Sequence, residues 1–306
     1  MDSVWPDDSQ SIELLQEWFG YCLTQDMTQD KILLMVGQSG GGKGVINRLL
    51  AQLLGDDAVC GPSMNTLAGD FGLQSLLGKS VAIIGDARHG DSRKAATVVG
   101  HLLNISGRDK VDVNRKNLPF LTGVTLPTRI VLTSNEVPRL SDTSGALVGR
   151  YLPLHFKQQF RNTPRDDKTL EPTLLTELPG ILQWAIAGLR RRLLRPNGQF
   201  VIPESGRELL SHARRTGAPI QAWADDCCEL CEVAVTPTAG LHDSYARWCQ
   251  DTKRQHVEER SQFAQSLTAT FPQIVACRTG GRGRQVPSYR GIRVLRDIER
   301  ADGIPD

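Results

Sequence analysis

Residues 31–45 read KILLMVGQSGGGKGV, and this stretch decides the fold. The apolar run Ile32–Val36 has no polar interruption, which predicts a strand buried on both faces. It runs straight into Gly37, Gln38, Ser39, Gly40, Gly41, Gly42, Lys43, Gly44 and Val45. The spacing Gly37-x-x-x-x-Gly42-Lys43 is that of a phosphate-binding loop. Glycines reach backbone angles closed to other residues, so consecutive N–H groups can turn inward onto phosphate oxygens. A helix predicted from Gly44 directs its N-terminal dipole at the same anion, and Lys43 supplies a cation for the outer phosphates. Position 44 departs from the usual pattern, because glycine stands where a magnesium-binding hydroxyl is expected.

Two further runs, SVAIIGD (80–86) and RIVLTSN (129–135), are also nearly continuous in apolar residues, as parallel strands covered on both faces are. Helical patterns alternate with them. GVINRLLAQLLG (44–55) gathers Ile46, Leu49, Leu50 and Leu53 on one face, and AATVVGHLLNI (95–105) behaves likewise. Ser11 is placed to cap a helix over IELLQEWFGYCL, and LPGILQWAIAGLRRRLL (178–194) is a third, stopped by Pro196-Asn197-Gly198. Strands alternating with helices predict an α/β core with a mostly parallel sheet. FVIPESG (200–206) reads as a linker. Helices then follow to about residue 272, and IVACRTGGRGRQVPSYRGIRVL (274–295) forms a strand, a Gly/Arg turn and a second strand. Helices followed by a basic hairpin predict a winged-helix-like α+β domain. The expected organisation is an N-terminal helical segment (1–25), a phosphate-loop ATPase core (26–200) and a winged-helix-like DNA-binding or assembly domain (205–306).

The chain has 306 residues, 23% of them charged, with a net charge of +2. Global charge therefore does not announce a polyanion, but the arginines are unevenly placed. Arg278, Arg282, Arg284, Arg290, Arg293, Arg296 and Arg300 crowd the C-terminal region against Asp297 and Glu299 alone. No apolar run approaches the ~20 residues of a membrane span, and no secretory leader is apparent. A cytoplasmic, reduced setting is expected for the seven cysteines. Cys228-x-x-Cys231, with Cys227, Cys249 and His256 nearby, lacks a second tight ligand pair and falls in a segment that reads as helix. Structural thiols are expected there rather than zinc.

The second strand ends at Asp86, where a carboxylate holds magnesium or orients water beside bound phosphates. Ala87 follows instead of a second acid, so Asp86 serves alone or with Asp91. With no hydroxyl at 44, the ion relies either on Asp86 and water or on Ser39. ATP and Mg2+ are the expected cofactors.

GQSGGGKG, IIGDAR, SGRDKVDVNRKN, LTSNEVPRLSD and GRYLPL occur in that order and, with WAIAGL and YRGIRVL, span most of the chain. Together they resemble the superfamily 3 helicases, specifically the C-terminal helicase half of phage and plasmid primase-helicases of the poxvirus type. The resemblance implies an AAA+-like core and a homohexameric ring with ATP at subunit interfaces. It implies that Asn135 senses the γ-phosphate and that Arg150, with Arg139 as second candidate, reaches a neighbour's ATP. It also implies that Lys116, with Arg115 beside it, grips single-stranded DNA from a hairpin in the pore. Arg278, Arg282 and Arg284 in the turn 278–285 are placed to contact duplex DNA. Relatives carry a primase upstream. Here about thirty residues precede the loop and no acidic metal cluster is seen, so a fragment or a stand-alone helicase is expected, with a primase as possible partner and a bacterial host cell as setting.

The function expected is an ATP-driven DNA helicase or translocase for a mobile element's replication. An ATP-controlled initiator or loader is the alternative, kept open by the missing hydroxyl and single acid. A nucleotide kinase also places glycine after the loop lysine, but it needs a lid of arginines that the sequence lacks.

Overall fold

The computed structural model describes residues 1–85, 92–138, 140, 145–217, 219–252, 254, 257–280 and 285–295. It divides into two compact units, residues 1–142 with 146–213, and residues 143–145 with 214–306.

The first unit opens with helix α1 (Ser9–Cys22), followed by β1 (Ile32–Gly37), α2 (Lys43–Leu54), β2 (Val59–Cys60), α3 (Met64–Leu67) and β3 (Val81–Ile84). Helix α4 (Ser92–Ser106), the short strands β4 (Val111–Val113) and β5 (Leu121–Val124), β6 (Arg129–Ser134), α5 (Ala146–Arg150) and β7 (Tyr151–Phe156) come next. Helices α6 (Leu170–Thr176), α7 (Leu178–Leu193) and α8 (Glu204–Gly217) follow. Five strands form one sheet in the order β2-β3-β6-β1-β7, every pair parallel.

Every residue of β1 is buried, as its unbroken apolar run requires. Side chains alternate between the two faces of the sheet. Ile32, Leu34 and Val36 join a cluster with α4 residues Val98, Leu102 and Ile105. Leu33 and Met35 join a second cluster with Leu14, Leu15 and Phe19 of α1, Leu49 and Leu50 of α2, and Ala185 of α7. The sheet is thus covered on both sides, the condition under which parallel strands are stable.

The N-terminal cap is Asp8, not Ser11. The Asp8 carboxylate accepts from the Ser11 amide at 3.0 Å and the Ser11 hydroxyl at 2.7 Å. Three residues separate cap and partner, the geometry that satisfies an otherwise orphaned helix N–H. The stretch 200–206 is not a free connection. Phe200 is buried in the α1/α7 cluster, the Val201 amide donates to Glu17 Oε2 at 3.1 Å, and Glu204 already opens α8.

The second unit carries α9 (Pro219–Cys227), β8 (Cys228–Pro237), α10 (Thr238–Asp251), α11 (Arg260–Thr270), β9 (Val275–Thr279) and β10 (Val286–Val294). Its strands form an antiparallel sheet in the order β8-β10-β9. The core is built on Trp223, Tyr245, Phe263, Leu267 and Ile292. Trp223 meets Phe263 edge to face with centroids 5.5 Å apart, and its indole N–H donates to the Ser244 hydroxyl. Cys228 and Cys231 lie in β8, where a helix was expected. Among the described residues, no three His, Cys, Asp or Glu side chains gather as a metal site, and no helix is long and apolar enough to cross a membrane.

Candidate nucleotide and nucleic-acid sites

The loop after β1 is shaped by its glycines. Gly37 has φ 152°, and a Cβ there would lie 2.2 Å from the Phe156 carbonyl oxygen. Only glycine fits that closely against β7. Gly42, the cap of α2, sits in the left-handed region at φ 99°, a conformation that costs an ordinary side chain about 1 kcal/mol or more. The loop's outer wall is the segment after β7: the Phe160 amide donates to the Gly40 carbonyl at 3.0 Å.

Lys43 opens α2 and is only 6% exposed. Its ammonium donates to the carbonyls of Gly37 and Gln38 and lies 3.5 Å from Asn135 Oδ1. Burial lowers its pKa from the usual lysine range. The pairing of Val36 with Ser134 sets Asn135 just past β6 at the level of Gly37. Lys43 and Asn135 therefore meet at one end of the sheet, reached from two strands whose carboxyl ends are aligned. β1 lies between β6 and β7, while the chain leaving it runs to the far edge at β2. Such a divergence of connections opens a crevice at the carboxyl ends of the strands. Gly44 is exposed, Val45 half-buried and Ser39 exposed within the loop. Asp86 and Asp91 lie outside the described residues, as do Arg139, Arg282 and Arg284.

Arg150 is not near this loop in its own chain. Tyr151 pairs with Ile32 at the start of β1 and Phe156 pairs with Gly37 at its end. Five strand steps, roughly 17 Å, separate Tyr151 from Phe156 beside the first loop glycine, and Arg150 lies one residue further away. Its guanidinium bonds instead to the Leu103 carbonyl and, at 2.8 Å, to the Ser106 hydroxyl, so it caps the C-terminus of α4.

Arg115 and Lys116 occupy the turn joining β4 to β5. The Arg115 Nε–H donates to the Pro119 carbonyl at 2.8 Å, the Lys116 amide donates to Gln74 Oε1, and the Lys116 side chain is exposed. Leu118 and Phe120 on the same turn are each 54% exposed. The alternation in DKVDVNRKN pointed to the hairpin, but not to these apolar neighbours, whose only signal was an aromatic beside a basic turn. In the second unit Arg278 is exposed at the end of β9, its Nη1 3.3 Å from Gln285 Oε1.

Comparison with known proteins separates the two units. Residues 35–150 match a family of unknown function (DUF5906). Residues 218–296 match the RFX DNA-binding domain. Over 94 residues the chain is 31% identical to DNA-binding protein RFX2 of Rattus norvegicus, an alignment covering 31% of this chain and 13% of that protein. The chain thus spans a small fraction of that relative's length. Among solved structures, the apo C-terminal region (305–718) of NrS-1 superposes with a TM-score of 0.59 at 12% identity, covering 95% of this chain and 74% of that one. Its A form gives 0.58 at 13% identity, over 95% and 73%. The likeness to NrS-1 is one of fold.

Proposed function

We propose that the chain is the motor part of a superfamily 3 DNA helicase or translocase, hydrolysing ATP at the loop Gly37–Val45 and moving DNA. The observation that carries this reading is the meeting of Lys43 and Asn135 beside a glycine loop, at the carboxyl end of a parallel sheet. Loop amides and Lys43 hold the outer phosphates, and Asn135 orients the attacking water by its carboxamide. Glycines at 37, 40, 41 and 42 let the backbone approach the phosphates. Asp86 with water, or the Ser39 hydroxyl, would hold magnesium, which neutralises charge on the phosphates. Gly44 and Val45 offer no oxygen of their own beyond the backbone.

The match of residues 218–296 to a DNA-binding domain supports DNA as the partner. So does the order helix, strand, two helices, strand, strand, which is that of a winged helix. Arg278 lies at the end of β9, and the sequence puts Arg282 and Arg284 between that strand and the last one, where a winged helix has its wing. The turn 114–120 adds a cation and an aromatic ring, the pair that grips a single strand by phosphate charge and base stacking. Lys116→Ala should weaken single-stranded DNA binding for all sequences alike and lower the salt-dependence slope by about one, the share of a single neutralised phosphate. An unchanged slope in a filter-binding titration would mean that Lys116 does not touch the strand.

Arg150 is too distant to serve its own loop, so a catalytic arginine at this position acts on a neighbouring subunit in a ring. The deciding experiment is strand separation on forked DNA. ATP-dependent unwinding by the unaltered chain supports the motor. Nucleotide-dependent rings that separate nothing would favour the loader, a reading supported by the absence of a hydroxyl at positions 44 and 45.

A further inference from the structure

A cavity of about 610 Å3 opens within the first unit, between residues 4–10, the end of β7 and the start of α8. Val4 and Gln158 line it, and both lie beside the glycine loop. A Cβ on Gly42 would lie 3.9 Å from Val4 Cγ2, and one on Gly41 would lie 2.9 Å from the Gln158 carbonyl. The cavity and the loop therefore share a wall. Trp5 holds that wall in place, its indole N–H donating to the His155 carbonyl at 2.8 Å and its ring packed 4.8 Å from Phe156.

We propose that this cavity seats the nucleoside moiety of the nucleotide whose phosphates lie on the loop Gly37–Lys43; the assignment rests on that reading of the loop. Three observations carry it. The volume falls within the range of small-molecule sites, which run from about 300 to 1,000 Å3. The lining is acidic: Asp7, Asp8, Glu204 and Glu208 face a single ammonium, that of Lys157. Such a wall repels phosphate but accepts hydrogen bonds from ribose hydroxyls or an exocyclic amine. The two ends of a nucleotide are thereby sorted, anionic groups to the loop amides and Lys43, neutral donors to the cavity.

The third observation is His155, which lines the cavity while its Nδ1 is buried away from it. Burial, and then the nearby Lys157, lower the His155 pKa below the usual histidine value, so the ring is neutral at pH 7. Any ligand bond then falls to Nε2, which in a neutral imidazole donates or accepts one hydrogen bond according to the tautomer. Asp8 is already committed to Ser11 and Ser205. Asp7 and Glu208 are the carboxylates assigned to the ligand.

The test compares ATP with inorganic tripolyphosphate, by calorimetric titration of the full chain and two variants. His155→Leu should bind ATP about tenfold more weakly, the loss of one hydrogen bond. Glu208→Trp, which fills the cavity from α8 and away from the loop, should weaken ATP by roughly a hundredfold. In both variants tripolyphosphate should bind as it does to the unaltered chain. Equal loss of both ligands, or ATP affinity untouched by Glu208→Trp, overturns the cavity assignment while leaving the loop standing. Failure of the unaltered chain to bind either ligand overturns the loop reading and the cavity with it.

Discussion

Lys43→Ala is expected to cut DNA-stimulated ATP turnover by about a thousandfold, the cost of removing one pre-positioned charge donor from a phosphoryl-transfer site. Lys43 is 6% exposed, and its ammonium is already held at the loop by the Gly37 and Gln38 carbonyls. It needs no reorganisation to meet the phosphates, so its whole charge acts in the transition state. Burial has lowered its pKa, and an incoming anion would restore the preference for the charged form. Phosphate release measured with saturating single-stranded DNA is the readout. Turnover within tenfold of the unaltered chain would remove the loop from the chemistry. The variant should stay folded, because the lysine's hydrogen-bond partners are the loop carbonyls of Gly37 and Gln38 and the Asn135 carboxamide, none of them part of the apolar clusters.

The largest stability effect is expected at Glu17. This carboxylate in α1 is fully buried, with Arg195 Nη1 at 2.7 Å and Arg191 Nε at 3.2 Å, both from the α7 end of the unit. Its second oxygen accepts the Val201 amide. Glu17→Ala leaves the two guanidinium groups with Glu13 alone, at 3.8 and 3.7 Å, and the half-buried Val201 N–H without its acceptor. Removal of one member of a fully buried pair costs about 3–5 kcal/mol, and because the arginines are 35% and 29% exposed the lower end, about 3 kcal/mol, is expected. For a unit of this size that lowers the melting temperature by roughly 10 °C. Differential scanning calorimetry of the full chain checks it: a shift below about 3 °C, under 1–2 kcal/mol at this size, would mean that water replaces the carboxylate without penalty. The same variant should loosen residues 200–206, which Glu17 ties to α1.

What the sequence revealed followed the strength of its periodicity. β1, β3 and β6 are continuous apolar runs because they lie inside the sheet, and α2 and α4 are amphipathic because each covers one face. Those elements were legible to within three residues, the largest miss being α4, read from 95 and found from Ser92. β7 was not. Its residues YLPLHF carry a proline and a histidine, which argue against a central strand. At the sheet edge only one side needs pairing, so Pro153 opposite Leu34 is tolerated. β8 was read as helix for a related reason. It is also an edge strand, largely exposed, with Leu230, Val233 and Val235 open to solvent, and its fit to β10 is broken by a bulge at Arg290/Gly291. No burial pattern is imposed on it, so none is written into its residues.

The candidate site was legible where chemistry dictates spacing and opaque where it depends on distant chain. Gly37 to Lys43 is a local signature. That Asn135 reaches Lys43 follows from strand register, which sets the end of β6 beside the end of β1 and which the order of apolar runs along the chain does not give. Two features had no local signal at all. One is the capping of α4 by Arg150 across 44 residues of chain. The other is the cavity beside Gly42, whose walls come from residues 4–10, 155–158 and 204–208. Sequence separation of that size leaves no periodic trace.

The placement of Ile32–Gly37 between two late strands also bears on how the chain is made. During synthesis this most apolar segment leaves the ribosome well before Arg129–Ser134 and Tyr151–Phe156 exist to flank it. At about 5–20 residues per second the wait is on the order of ten seconds. Throughout that interval both of its edges are bare and its side chains unshielded, an invitation to self-association. A holding chaperone, or slow initiation that keeps nascent copies apart, is therefore expected to raise the yield of folded protein.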